Sequence, residues 1–194
     1  MCDADIETSR LRCRALADSL IETFLDYSLR NSAHFAPWEP RLGSEFFLPQ
    51  NFRNWCQKQI ESIANKQSLR FIVSLRDAPD RMVASINYSM IAPLPALSCN
   101  LGYSIDESLQ GHGLITEALA STNAYVFDTL RLHRIAANYM PRNERSAAVL
   151  RKLGFVIEGH ARDYLRIADR WEDHVLTALI NENWVPQRTL ETSR

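Results

Sequence analysis

No stretch of this 194-residue chain approaches the roughly 18 consecutive apolar residues of a membrane-spanning helix. Met1 to Glu7 is polar and acidic, so no secretory leader is expected. Cysteine is limited to Cys2, Cys13, Cys56 and Cys99, none of them in a C-x-x-C pair, and this spacing supports neither a disulfide framework nor a zinc site. The five histidines contain no H-x-x-x-H arrangement, so no metal is expected. A basic excess is also missing: 22 lysines and arginines stand against 23 acids, for a formal net charge of -1. General nucleic-acid binders usually carry such an excess. One basic protein as substrate remains compatible with that balance. The expectation is a soluble, cytoplasmic protein of a reducing compartment that binds neither nucleic acid nor membrane directly.

Glycine is scarce as well, at six residues, yet two of them fall in the run Gln110-Gly111-His112-Gly113-Leu114-Ile115. The run separates an apolar stretch, Leu101 to Ile105, from a helical one, Thr116 to Leu130. Glycine tolerates positive φ and has no Cβ, so the backbone there can lie flat against a ligand. The helix start adds N–H groups without intrahelical partners at the positive end of the dipole. Such a segment is either an ordinary strand-to-helix turn or an anion site suited to a pyrophosphate. Two rival phosphate loops fail on spacing. No G-x-x-x-x-G-K-[ST] run exists, and Thr116 occupies the third glycine position of G-x-G-x-x-G.

A hydrophobic content of 46% suffices for one buried core, and one domain over residues 1–194 is expected, with its core at about 8–185. Arg10 to Leu16 reads as a strand, and Asp18 begins an amphipathic helix carrying Leu20, Phe24, Tyr27 and Leu29. Phe35 to Pro40 is an aromatic, proline-punctuated loop. Pro49 opens a second helix, with Phe52, Trp55, Cys56, Ile60 and Ile63 on one face. Leu69 to Leu75 and Met82 to Ile91 form a hairpin about a turn at Asp77 to Asp80, and Cys99 to Ile105 is the next strand. The helix Thr116 to Leu130, the strand Arg134 to Tyr139 and a helix capped by Asn143 and running to Lys152 follow. Gly154 ends that helix. Phe155 to Ala168 and Trp171 to Ile180 form a terminal hairpin, turning at Asp169-Arg170. This is a mixed α/β sheet protein without linker or repeat.

The glycine run resembles Q/R-x-x-G-x-G/A, the pyrophosphate loop of the GNAT superfamily of N-acetyltransferases. Gln110 and Gly113 match, while Ile115 replaces the final small residue and leaves the main-chain donors in place. Asn143-Glu144-Arg145-Ser146, followed by Lys152-Leu153-Gly154-Phe155, resembles the superfamily's N-x-x-A/S…K-x-G-F helix. Three further segments are similar to the RimJ-type branch, which acetylates ribosomal-protein N-termini: Thr8 to Leu11 with Arg14, Pro37-Trp38-Glu39-Pro40, and Leu101 to Ile105. So are Leu132 to Pro141 and Asp173 to Leu179. The likeness covers nearly the whole chain. It implies a single-domain GNAT fold (α/β, or α+β), with a mixed, mostly antiparallel sheet, splayed central strands and flanking helices.

The same resemblance implies acetyl-CoA as cosubstrate and, as partner, the N-terminus of a ribosomal protein of the small-subunit S5 type. Its alanine α-amino group would attack the thioester directly. Tyr103, Ser104 and Ile105 would pair with pantetheine through their backbone, and Asn143 would face the same arm. Gln110, Gly111, His112, Gly113, Leu114, Ile115 and Thr116 would hold the pyrophosphate. Many members place a tyrosine acid seven residues after the asparagine, where Leu150 stands here; this branch instead has a serine three residues after it, Ser146. Its hydroxyl is either part of the helix start or the group that hydrogen-bonds the departing sulfur.

A reference α-amino pKa near 7.7–8.0 leaves roughly 10–15% of that amine neutral at pH 7, against under about 0.1% of a lysine, so little is asked of a base. Glu39 is a solvated acid or that base. Trp38, with Phe35, is loop packing or a peptide clamp, and Asn138 is assigned with Trp38 to the acceptor. His174 reads as a structural hydrogen-bonding group on its strand or as an active-site residue. Arg142 and Arg145 either meet phosphates or are solvated. Two other readings stay open: within the enzyme class, acetylation of a small amine or peptide antibiotic, and from another class, a non-catalytic, translation-associated acetyl-CoA-binding module.

Overall fold

The computed structural model describes residues 4–186, so Cys2 and both ends of the expected domain lie outside the described residues. The described residues form one sheet of eight strands: β1 (Asp5–Glu7), β2 (Leu11–Ala15), β3 (Leu69–Leu75), β4 (Ala78–Ala92), β5 (Ser98–Ile105), β6 (Arg134–Tyr139), β7 (Val156–Ile167) and β8 (Arg170–Ile180). Their order is β1-β2-β3-β4-β5-β6-β8-β7. All neighbours run antiparallel except β5 and β6. That parallel pair holds only at Ser98–Arg134, Cys99–Ile135 and Asn100–Ala136. Beyond it β5 stays with β4 and β6 with β8, so the two strands splay and leave a seam.

The helices are α1 (Ile21–Arg30), α2 (Ser32–Phe35), α3 (Pro49–Ala64), α4 (Leu114–Asp128) and α5 (Glu144–Lys152). Successive strand residues face opposite sides of a sheet, and β3 shows which helices cover which. The Arg70 guanidinium lies against Phe24 of α1 and Trp55 of α3. Its neighbour Phe71 meets Tyr125 of α4, ring centroids 6.0 Å apart. The cross-strand registers extend the rule: Arg70, Asn87 and Gly102 form one row beneath α1 and α3, and Phe71, Ile86 and Tyr103 form the next, beneath α4. The core under α4 includes Leu119 and Val126. There the buried Tyr88 phenol lies within hydrogen-bond reach of Thr122 (2.8 Å) and Asn123 (2.7 Å).

The structure corrects several expected boundaries. β1 and α2 were not expected; both are too short to show a hydrophobic period. A single turn of 3-10 helix, Asp18–Leu20, precedes α1, and Ile21 joins Phe24 and Tyr27 on its buried face. Leu29 is half exposed, because it stands two residues from Tyr27 and so on the opposite side. The first hairpin turns at Arg76-Asp77 rather than at Asp77 to Asp80, and β4 begins at Ala78. The last turns at Ala168-Asp169, both at positive φ, one residue earlier than expected. α4 starts at Leu114, two residues early, with Leu114 and Ile115 buried in its first turn, so the bulkier Ile115 packs into the core.

Candidate active site

Two glycines fix the entry to α4. Gly113 is its N-cap at φ +75°, and Gly111 sits at φ +80° with no atom within 4 Å of where a Cβ would stand. The first intrahelical bond runs from the Glu117 N–H to the Gly113 carbonyl. The N–H groups of Leu114, Ile115 and Thr116 therefore have no acceptor within the helix. The loop is tied down from both ends. Before it, Asp106 accepts from the Ser108 N–H (3.1 Å) and from Arg30 Nε (3.2 Å), and Asn31 Oδ1 accepts from the Glu107 N–H. After it, the Glu117 carboxylate accepts from the Thr8 and Ser9 hydroxyls (2.6 and 2.9 Å) and from the Arg10 N–H and Nε (3.0 and 2.7 Å). Arg10 also donates to the His112 carbonyl, 3.1 Å away.

Burial opposes ionisation of Glu117, but those four donors outweigh it and hold its pKa at about 2. A carboxyl with a depressed folded pKa contributes stability that is complete above its unfolded pKa and is lost as pH falls through the folded value. Glu117→Gln is therefore expected to lower unfolding stability by about 2 kcal/mol at pH 7, a figure discounted for partial solvation. The gap to the unmodified chain should close between about pH 4.5 and about pH 2. Urea melts across that window check this; a gap independent of pH would show that the loss is steric.

α5 starts as expected. Asn143 Oδ1 accepts from the Ser146 N–H at 3.1 Å and caps the helix. At the other end Gly154 takes φ +87°, its N–H reaches the Arg151 carbonyl and the Phe155 N–H reaches that of Leu150, a Schellman closure. This short, doubly closed helix holds the Ser146 hydroxyl 2.8 Å from the Tyr103 phenol of β5. Burial pushes that phenol up to about 12, so it stays protonated. The pair spans the α4 and α5 side of the seam.

A cleft of about 1580 Å³ passes through the seam and gathers most of the expected residues: Trp38, Glu39, Tyr103, Ser104, Ile105, Gln110, Gly111, Gly113, Leu114, Ile115, Thr116, Asn138, Asn143 and Ser146. His112 does not line it; its side chain is exposed and its carbonyl is taken by Arg10. Gln110 bridges the cleft, with one end 2.6 Å from His34 Nε2 and its carbonyl accepting from Arg145. Glu39 is open to the water of the cleft yet ringed by protein; desolvation raises its carboxyl, with Arg70 pulling the other way. Arg142 stacks on the Trp38 ring at 5.0 Å and pairs with Glu172 at 2.8 Å. It anchors the aromatic loop. Asn138 donates to the Tyr164 phenol at 3.1 Å. The buried His174 lines the cleft with Nδ1 3.0 Å from the Glu172 carbonyl, which can only accept, so Nδ1 carries the proton.

Cleft groups not singled out from the sequence include the Tyr103 phenol, Tyr27, whose hydroxyl donates to Ser104 Oγ at 3.0 Å, His34, Asn87 and Arg70. Arg70 alone left a trace, as a charge inside the otherwise apolar run Leu69 to Val73. Cys13, Cys56 and Cys99 are free and buried, and burial lifts their thiols to about 12, 11 and 12.

Residues 10–156 match the acetyltransferase (GNAT) domain family. Over 184 residues the chain is 37% identical to the [ribosomal protein uS5]-alanine N-acetyltransferase of Escherichia coli, covering 94% of each chain. Among solved structures it resembles the ribosomal-protein-S5-alanine acetyltransferase of Vibrio fischeri, with a TM-score of 0.90 and 37% identity over 95% of this chain and 100% of that one. Mycobacterium smegmatis RimJ in complex with CoA-disulfide superposes with a TM-score of 0.83 at 27% identity, covering 91% of this chain and 84% of that one.

Proposed function

This chain belongs to the GNAT acetyltransferase family, and we propose that it transfers an acetyl group from acetyl-CoA to the N-terminal alanine of ribosomal protein uS5, by direct attack of the α-amino group on the thioester. The observation that carries this reading is the open seam between β5 and β6, with the Ser146 hydroxyl at its edge. Its choice of acceptor is supported by the near full-length likeness to enzymes named for that acceptor. The whole chain acts as one acetyltransferase domain, in the cytoplasm, on a protein N-terminus and without contacting nucleic acid or membrane. Among the described residues no helix is long and apolar enough to cross a membrane.

The cosubstrate supplies an activated acetyl thioester. The N–H groups of Gly111 to Thr116 hold its pyrophosphate, in a cradle kept open by the missing Cβ of Gly111. The unpaired edge of β5 at Tyr103, Ser104 and Ile105 offers backbone donors and acceptors to the pantetheine arm, and Asn143 borders the same arm. Ser146 hydrogen-bonds the departing sulfur. Glu39, its carboxyl raised by burial, receives the proton of the ammonium, and Trp38 and Asn138 border the incoming peptide.

An alanine-starting peptide with the uS5 N-terminal sequence should gain one acetyl group, and the same peptide with its N-terminus blocked should gain none. Intact and fragment mass spectrometry checks this. Equal acetylation of both would place the group on lysine and overturn the assignment, and exclusive acetylation of a small amine would move the activity to another acceptor class.

A further inference from the structure

Arg70 is a cation in an unusual place. It projects from β3 beneath α1 and α3, its guanidinium 5.6 Å from the Phe24 ring centroid and 5.3 Å from that of Trp55. Nη1 donates to Ser85 Oγ at 3.1 Å, and among the described residues the buried Nε has no acceptor. No carboxylate there comes within 4 Å of it; Glu39 acts on it only from farther off. Arg41 and Arg166, the cleft arginines at the hairpin end, share Asp169 at 3.0 and 3.2 Å. Holding a charge away from water without a counter-ion is unfavourable, and a bound anion offsets that cost. Desolvation already draws the Arg70 pKa down to about 10, so it keeps its charge at neutral pH and lacks only a partner.

The sheet register connects this charge to the seam. Arg70 on β3 stands beside Asn87 on β4, and Asn87 beside Gly102 on β5. All three line the cleft. Nothing lies within 4 Å of where a Gly102 Cβ would stand, so the row is open at the seam. Asn87 Oδ1 is a second buried atom without a partner, an acceptor beside the unpaired donor. Two strand spacings of about 4.8 Å put Arg70 roughly 10 Å from β5, the length of about three extended residues.

We propose that Gly102, Asn87 and Arg70 line an acceptor subsite in which the Arg70 guanidinium takes a carboxylate side chain a few residues behind the acetylated amine. The subsite rests on the N-terminal peptide reading above and gives it a specificity: acceptors with an acidic residue at position two, three or four.

The test is a peptide series starting with alanine and carrying Glu, Gln or Lys at each of those positions, assayed with acetyl-CoA. Glu at one position should raise kcat/KM at least tenfold over Gln, chiefly through KM. In Arg70→Gln the Glu advantage should fall below twofold with the acetyl-CoA Kd unchanged, and Arg70→Lys should restore part of it. Thermal melts identify a variant that fails to fold, in which case the series on the unmodified enzyme decides. Equal turnover of the Glu and Gln peptides by that enzyme would overturn the subsite and leave the N-terminal activity standing. No turnover of any peptide would remove that activity and the subsite with it.

Discussion

Ser146→Ala lowers kcat by about two orders of magnitude and leaves the acetyl-CoA Kd within about twofold, as expected for a group used mainly in the transition state. Leu150, fully buried, fills the slot where many members of the family carry a tyrosine acid. The Ser146 hydroxyl is the protic group that α5 presents instead, and the Tyr103 phenol stands 2.8 Å behind it. A serine hydroxyl is a weak acid and serves best as a donor to a sulfur that is gaining charge. The protonated phenol strengthens that donor and can pass a proton along the pair. Tyr103→Phe should therefore lose less than Ser146→Ala, about tenfold in kcat. Steady-state kinetics with thiol detection measures both. Unchanged turnover in Ser146→Ala would assign the role to water or to another donor.

Gly113→Val raises the acetyl-CoA dissociation constant at least tenfold, about 1.4 kcal/mol or more. The cause is conformational rather than steric. A Cβ at this position would meet only Arg10 Nη2, at an ordinary 3.8 Å, but φ is +75°. A β-branched residue held there carries about 1–3 kcal/mol of strain. It relieves that strain by turning the peptide, and the N–H groups at the start of α4 then turn away from the anion. Because Glu117 and Arg10 keep the rest of the loop in place, the fold should survive while binding weakens. Titration calorimetry provides the check; an unchanged constant would remove the pyrophosphate from this loop.

What could be read in advance follows from how each feature is encoded. β3, β5 and α3 declare themselves by period, and Gly113, Asn143 and Gly154 by the backbone positions that they favour. β1 is three residues long and gains its identity only by pairing with β2. The last hairpin turns at Ala168 and Asp169, neither of them glycine, so the positive φ angles there had no signature. The site divides in the same way. The proposed donor loop is contiguous in sequence, so its glycine spacing is legible there. The Tyr103–Ser146 contact joins residues 43 positions apart, and Arg70 acquires its meaning only from two aromatic rings on different helices. Neither relation exists until the sheet has formed.

The early parting of β5 and β6 opens a cleft lined from both faces of the sheet. Ser146, Tyr103 and the glycine loop lie on one of them, and Arg70 and Asn87 on the other. On the proposed reading, donor and acceptor approach from these two faces without passing each other. An enzyme laid out in this way has no need to store the acetyl group on one of its own side chains between two visits to a shared pocket. What looks like a defect in the sheet is an arrangement for a meeting of two substrates, held open by every strand that remains paired.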